Sequence, residues 1–315
     1  MIPVPTAQLH RRIIGWFDVQ ARDLPWRGPG RTPWAVMVSE FMLQQTPVVR
    51  VLPVYADWLD RWPTPADLAA APAGDALRHW GRLGYPRRAL RLHAAAGAIV
   101  EHHGGRVPRT AAELLTLPGV GTYTAAAVAA FAYGKRETVV DTNIRRVHAR
   151  LLGGDALPAP TLTAAEMRRA ADLLPDDDGE SVKWNAAVME LGALICTARA
   201  PKCSQCPVLD ACAWVAAGRP EPHYVPRGQA WAGTDRQVRG AMMGVLRDAV
   251  APVIREVLVA EPVDLALGSP PGTVVSPLIK LHRLNASREQ LERSLDGLVA
   301  DGLASETPAG ISLPS

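Results

Sequence analysis

Apolar residues recur at helical spacing along most of the chain, and strand-like alternation is confined to its end. Residues 9–19 place Ile13, Ile14, Trp16 and Phe17 on one helix face before Leu24-Pro25-Trp26-Arg27 breaks the pattern. Thr32 then offers an N-cap and Pro33 a first-turn proline to a helix reaching Thr46, with Pro47 ending or bending it. Short helices are predicted over 54–61, 65–71, 74–81 and 87–100, then over 112–116, 123–133, 144–152, 161–174 and 184–195. Residues 175–179 read as an acidic loop and 218–233, rich in Pro and Gly, as a linker. Beyond it, helices at 235–250 and 288–301 precede a ribbon over 302–313 with Gly310 near its turn, while 274–284 is ambiguous. The expectation is a mainly α protein.

Composition adds little to this picture. A chain of 315 residues, 48% hydrophobic and 21% charged, has room for two or three globular domains. A net charge of +3 is too small to argue for nucleic acid, and the excess of arginine (30 of 34 basic residues) also fits a GC-rich genome. No apolar run has signal-peptide or membrane-spanning character, so a cytoplasmic protein with no membrane partner is expected.

The candidate chemistry lies where polar residues interrupt the apolar pattern. Leu117-Pro118-Gly119-Val120-Gly121 separates two helices. Its glycines allow a sharp turn and close backbone approach, and the unpaired N–H groups of the next helix form a phosphate seat; a plain turn between packed helices is the other reading. Glu40 has Val36, Met37 and Leu43 as helical neighbours, so it is either a satisfied core group or a carboxyl kept neutral for proton donation. Asp141 is either a helix N-cap or a functional acid. Trp26 and Arg27 are a packed aromatic with its neighbour, or a wall for an extruded base. Arg87, Arg88 and Arg91 form a solvated basic face or contact phosphates, and His148 is a surface or packing histidine. All four cysteines, Cys196, Cys203, Cys206 and Cys212, fall within 17 residues, which is unlike scattered disulfides. Their spacing alone leaves zinc and an iron–sulfur cluster both open.

Taken together, Ser39-Glu40-Phe41-Met42-Leu43-Gln44-Gln45-Thr46, Trp80-Gly81-Arg82-Leu83-Gly84-Tyr85, the Leu117–Gly121 hairpin, Val140-Asp141 and the cysteines resemble the MutY-type adenine DNA glycosylases, in family order over about residues 9–215. The resemblance implies a two-lobed helix-hairpin-helix glycosylase fold with a [4Fe–4S] loop. Lobe boundaries are expected at 1–30 with 141–217 for the cluster lobe and at 31–140 for a six-helix barrel lobe. By resemblance Glu40 is the acid and Asp141 faces the sugar, with Asn143 and Tyr123 orienting them. Trp26 and Arg27 receive the base, Gly119, Val120 and Gly121 hold a phosphate, and Gln44, Gln45, Leu83, Gly84 and Tyr85 contact the duplex, Gln45 and Tyr85 being inserted into it. The four cysteines would hold the cluster.

Three departures and one choice of residue qualify the resemblance. Bifunctional relatives carry a lysine at position 123; Tyr123 cannot form a Schiff base, which implies a monofunctional enzyme leaving an abasic site. Pro86 stands where the family has a second aromatic. Ala186 stands where it has a group that reads the adenine edge. Residues 234–315 do not read as the Nudix-like reader of 8-oxoguanine expected there; they suggest a small α+β winged-helix-like module that binds DNA or only packs. The implied activity is removal of adenine opposite 8-oxoguanine or guanine in double-stranded DNA, by a monomer. The rivals are a mismatch thymine or uracil glycosylase and a non-catalytic DNA-binding protein.

Overall fold

The computed structural model describes residues 5–225, 228, 230–260 and 275–315. The chain opens with α1 (Thr6–Gln20), a one-turn 3-10 helix at Pro25–Arg27 and α2 (Pro33–Leu43), where Thr32 Oγ1 accepts the Ala35 N–H at 3.1 Å as expected of a cap. There follow α3 (Val48–Arg61), α4 (Pro65–Ala70), α5 (Ala73–Trp80), α6 (Arg87–His103), α7 (Ala111–Leu114) and α8 (Thr122–Tyr133). Next come α9 (Thr142–His148), prolonged by a π-type turn over Ala149–Gly153, then α10 (Ala164–Asp172), α11 (Asp178–Leu194) and α12 (Ala213–Ala216). The last part holds α13 (Asp235–Asp248), α14 (Arg255–Val259), α15 (Val275–His282), α16 (Arg288–Ala300) and the strands β1 (Ser305–Thr307) and β2 (Gly310–Ser312). The fold is mainly helical, and among the described residues no helix is long and apolar enough to cross a membrane.

The two largest differences from the predicted helix boundaries, in α3 and α11, have local reasons. Helix α3 starts six residues before the predicted 54 and carries Pro53 inside it. The lost backbone bond is offset by burial of Val51, Tyr55 and Trp58 on one face. The predicted acidic loop at 175–179 is the cap and first turn of α11: Asp177 accepts the Glu180 N–H at 2.8 Å, and Asp178 and Glu180 complement the helix dipole. Residue 274 of the ambiguous segment, and 226, 227 and 229 of the expected linker, lie outside the described residues.

Contacts divide the chain into two units, Met1–Glu40 with Val107–Pro226 and Phe41–Arg106 with Arg227–Ser315. In the first, α1, α9 and α11 share a core of Leu9, Ile13, Ile144, Val147, Trp184 and Leu191, and Cys196, Cys206 and Cys212 pack at its edge. In the second, Trp58, Trp62 and Trp80 meet edge to face with centroids 4.7 and 5.6 Å apart. Burying one indole removes roughly 150–250 Å² from water, worth on the order of 4–6 kcal/mol as an upper bound.

The C-terminal part of the second unit runs α13, a bridge at Val253, α14, α15, α16 and then the β1–β2 hairpin, which resembles a winged helix with one additional short helix. Strands β1 and β2 pair antiparallel (Glu306 opposite Ile311), and Ile311 also exchanges two 2.8 Å backbone bonds with Val253. Gly310 has φ +128°, and a Cβ there would lie 2.7 Å from the Val253 carbonyl, so this turn needs glycine.

Candidate active site

The hairpin forms as the glycine pattern predicts. Helix α7 is held by a reciprocal capping box, Thr110 with Glu113, and Gly119 takes φ +76° to reverse the chain. Gly121 caps α8 without any side-chain acceptor, which leaves the first N–H groups of that helix without a side-chain cap. At the other end Gly134 is left-handed and closes α8 with bonds back to Ala129 and Ala130. The extended step through Val139 and Val140, both buried, then delivers Asp141 to the start of α9.

Asp141 is the N-cap of α9, one of the two roles the sequence left open. Its Oδ1 accepts the Ile144 N–H at 2.7 Å, an ordinary N-cap, while Oδ2 accepts Asn143 Nδ2 at 2.7 Å. It also lies close enough to Glu40 for the two carboxyls to perturb each other. Glu40 is buried, 6% exposed, on α2. Burial pushes its pKa up to about 7, the Asp141 charge adds to that, and the Tyr123 hydrogen bond and the Arg27 charge pull the other way. Burial also raises the Tyr123 phenol well above its usual value, with the Glu40 and Asp141 charges acting in the same direction, so it stays a hydrogen-bonding hydroxyl. Asp141 is raised by burial too, but the Ile144 and Asn143 donors and Arg146 oppose this. Burial thus raises both carboxyls, Glu40 to about 7, while only Asp141 has backbone and amide donors that oppose the rise.

Arg27 is tied down beside this pair. Its Nη2 donates to Glu190 Oε2 at 3.0 Å, and Arg22 donates to the same carboxylate from Nε at 2.7 Å, from Nη2 at 2.8 Å and from its backbone N–H at 3.1 Å. Burial pushes the fully enclosed Glu190 upward, but these cations outweigh it and hold the group down to about 2. Trp26 is 7% exposed. Neither Arg22 nor Glu190 stands out in the sequence, although a carboxylate inside an otherwise apolar stretch of α11 was the available signal. His148 is buried and neutral, lowered to about 4 by burial, which is the packing alternative.

The predicted duplex contacts fall in the second unit. Gln44, Gln45 and Thr46 form the turn after α2, and Leu83, Gly84 and Tyr85 the turn before α6. Gln45 has φ +55° and Tyr85 φ +47°, conformations that side chains other than glycine rarely adopt, and Tyr85 is 49% exposed. Arg88, read as a solvated or phosphate-facing group, is instead buried.

The four thiols are free, and Cys206 is raised to about 11, by burial first and then by the nearby Cys196, Cys212 and Cys203. Among the described residues no three candidate ligands converge tightly enough for one metal ion. Four mutually close thiols are a ligand set that suits an iron–sulfur cluster.

Residues 38–172 match the model of the HhH-GPD superfamily of base excision DNA repair proteins, and 196–212 that of the iron–sulfur binding domain of endonuclease III. The adenine DNA glycosylase of Mycolicibacterium smegmatis is 47% identical over 298 residues, 95% of this chain and 93% of its own. The chain belongs to the adenine DNA glycosylase family. The adenine DNA glycosylase of Mycobacterium tuberculosis H37Rv is 46% identical, with 98% of this chain and 96% of its own covered, so the similarity extends through the C-terminal module. Among solved structures, a thermostable thymine-DNA glycosylase superimposes with a TM-score of 0.61 at 30% identity, over 67% of this chain and 97% of that one. The chain is thus a base-excision glycosylase with a [4Fe–4S] cluster, and its helical fold is the one expected.

Proposed function

We propose that this glycosylase removes adenine mispaired with 8-oxoguanine or guanine from double-stranded DNA, leaving an abasic site, and that it acts as a monomer in the cytoplasm. The observation that carries the reading is the buried carboxyl pair: Glu40, hydrogen-bonded by Tyr123 and raised to about 7, beside Asp141, which accepts from Asn143 and the Ile144 N–H. Protonated Glu40 gives its proton to N7 of a flipped adenine, making the base a better leaving group. Anionic Asp141 stabilises the oxocarbenium-like sugar, and water completes the hydrolysis. With Tyr123 in place of an amine, no Schiff base forms and the strand stays intact.

Other assignments follow from the same reading. Trp26 and Arg27 line the base pocket, Gly119–Gly121 and the start of α8 seat a phosphate, and Gln44, Gln45, Leu83, Gly84 and Tyr85 hold the opened duplex. Cys196, Cys203, Cys206 and Cys212 would ligate the cluster, whose contribution is to fold a DNA-binding loop. The functional lobes are 1–30 with 141–217 and 31–140, joined through a linker at 218–233 to the module at 234–315. One assay tests the reading: duplexes with A opposite 8-oxoguanine, A opposite G, T opposite G and U opposite G, each with and without alkali. Cleavage only after alkali and only at adenine is expected, with Glu40→Gln and Asp141→Asn binding DNA but inactive. Excision of thymine or uracil would assign the rival specificity, and full activity in either variant would remove the carboxyl pair from the mechanism.

A further inference from the structure

Arg88 makes more contacts than any role on a solvated face would need. Its Nη1 donates to the carbonyls of Phe41 at 2.8 Å, Met42 at 3.0 Å and Gln44 at 2.6 Å. Its Nη2 donates to Thr46 Oγ1 at 2.9 Å and to the Gly84 carbonyl at 3.0 Å. The guanidinium also lies over the Trp80 ring, 5.2 Å from its centroid, and over the Tyr85 ring, at 5.6 Å. Thr46 Oγ1 is within 3.3 Å of the Leu83 carbonyl, and Trp80 Nε1 donates to Gly84 O at 3.0 Å. One planar fork therefore joins the 44–46 turn to the 83–85 turn and stacks on the tyrosine. Both turns contain a non-glycine residue in the left-handed region, and such residues persist only where their surroundings over-determine them. Burial lowers the Arg88 pKa only to about 10, so the fork stays charged at neutral pH.

We propose that Arg88 is a positioning residue that locks the left-handed turns bearing Gln45 and Tyr85 into the one geometry in which both side chains enter the duplex. The proposal rests on the reading of those two residues as the wedge. A lysine keeps the charge but cannot reach both turns at once, because it lacks the fixed fork.

The test uses the full, cluster-loaded chain with Arg88→Lys. Single-turnover excision of adenine opposite 8-oxoguanine is compared with excision of the same adenine in an unpaired bubble, where no wedge is required. A loss of roughly 100-fold on the paired duplex, and of only a few-fold on the bubble, is expected. In a Gln45→Ala/Tyr85→Ala background the Arg88→Lys change should add less than about threefold, because it acts through those residues. Equal loss on both substrates, full additivity or an unchanged rate overturns the proposal. Thr46→Val, which removes the bridging hydroxyl, gives a milder loss in the same direction should Arg88→Lys fold poorly. Fluorescence of 2-aminopurine in the adenine position reports unstacking without cleavage: the wild type raises it and Arg88→Lys does not. If the wild type unstacks the base but excises no adenine, the proposed activity fails while Arg88 is still tested.

Discussion

At the scale of single residues, the proposed chemistry turns on where Glu40 keeps its proton. Its folded pKa of about 7 lies above the ordinary carboxyl value of 4.5, chiefly through burial. The folded state therefore binds this proton more tightly than the unfolded chain does. The associated stability is fully present below the unfolded pKa and is lost as pH rises from there through about 7. Two consequences follow, one for the rate and one for stability. The single-turnover rate should fall as pH rises through about 7, as the acid form disappears; a rate flat from pH 6 to 8 would contradict this. Glu40→Gln, inactive, should be more stable than the wild type at pH 8 by about 3 kcal/mol or less, since it removes a buried charge but keeps an acceptor for Tyr123. Denaturant melts of both proteins at pH 5 and pH 8 would show the gap open only at the higher pH.

At the scale of elements, the start of α9 connects the acid pair to the cysteine loop. Asn143 donates to Asp141 and accepts from Arg146 Nη2 at 2.8 Å; Arg146 in turn donates to the Gly192 carbonyl and, through Nε, to the Cys196 carbonyl, both at 2.7 Å. Helices α9 and α11 approach so closely that a Cβ on Gly192 would lie 2.7 Å from Asn143 Cβ and 2.9 Å from its carbonyl oxygen. Gly192→Ala should therefore cost about 1–3 kcal/mol and displace Asn143 from Asp141. The expected result is a lower melting temperature and a reduced single-turnover rate, with the visible absorbance of the cluster retained; an unchanged rate would show that Asp141 does not depend on this contact. Little of this arrangement was legible beforehand. Glu40 stood out because a carboxyl among Val36, Met37 and Leu43 breaks a local pattern, and the hairpin stood out because only glycine suits its turn. Arg88 and Arg146 did not stand out: an arginine on a helix reads as solvated unless its distant carbonyl partners are known, and those come from elements up to about fifty residues away. The start of α11 was missed because acidic residues that cap a helix look like loop until the helix behind them is seen.

At the scale of the whole molecule, the C-terminal module is tied to the rest of its own unit and spends its charges there. Arg247 donates to the Leu77 carbonyl and Arg78 to the Arg247 carbonyl, each at 3.0 Å, and Gly74 lies so near Pro314 that a Cβ would meet its carbonyl at 2.4 Å. Asp301 pairs with both Arg87 and Arg239, Asp296 pairs with Arg255, and Asp235 pairs with Arg293. Residues 288–301 hold four acidic groups (Glu289, Glu292, Asp296, Asp301) against two arginines, an unfavourable surface for a phosphate backbone. Of the two roles open to a winged-helix-like module, packing is the one these contacts support. Asp301→Asn should then remove the charge shared by Arg87 and Arg239 and cost about 1 kcal/mol, given that the arginines are partly exposed. That corresponds to a fall of roughly 2–4 °C in melting temperature. Adding Arg87→Met to Asp301→Asn should cost less than Arg87→Met alone, because the partner is already gone. Duplex affinity and its salt dependence should be the same for Asp301→Asn and the wild type; a clear rise in affinity on removing this one negative charge would place the module against DNA instead.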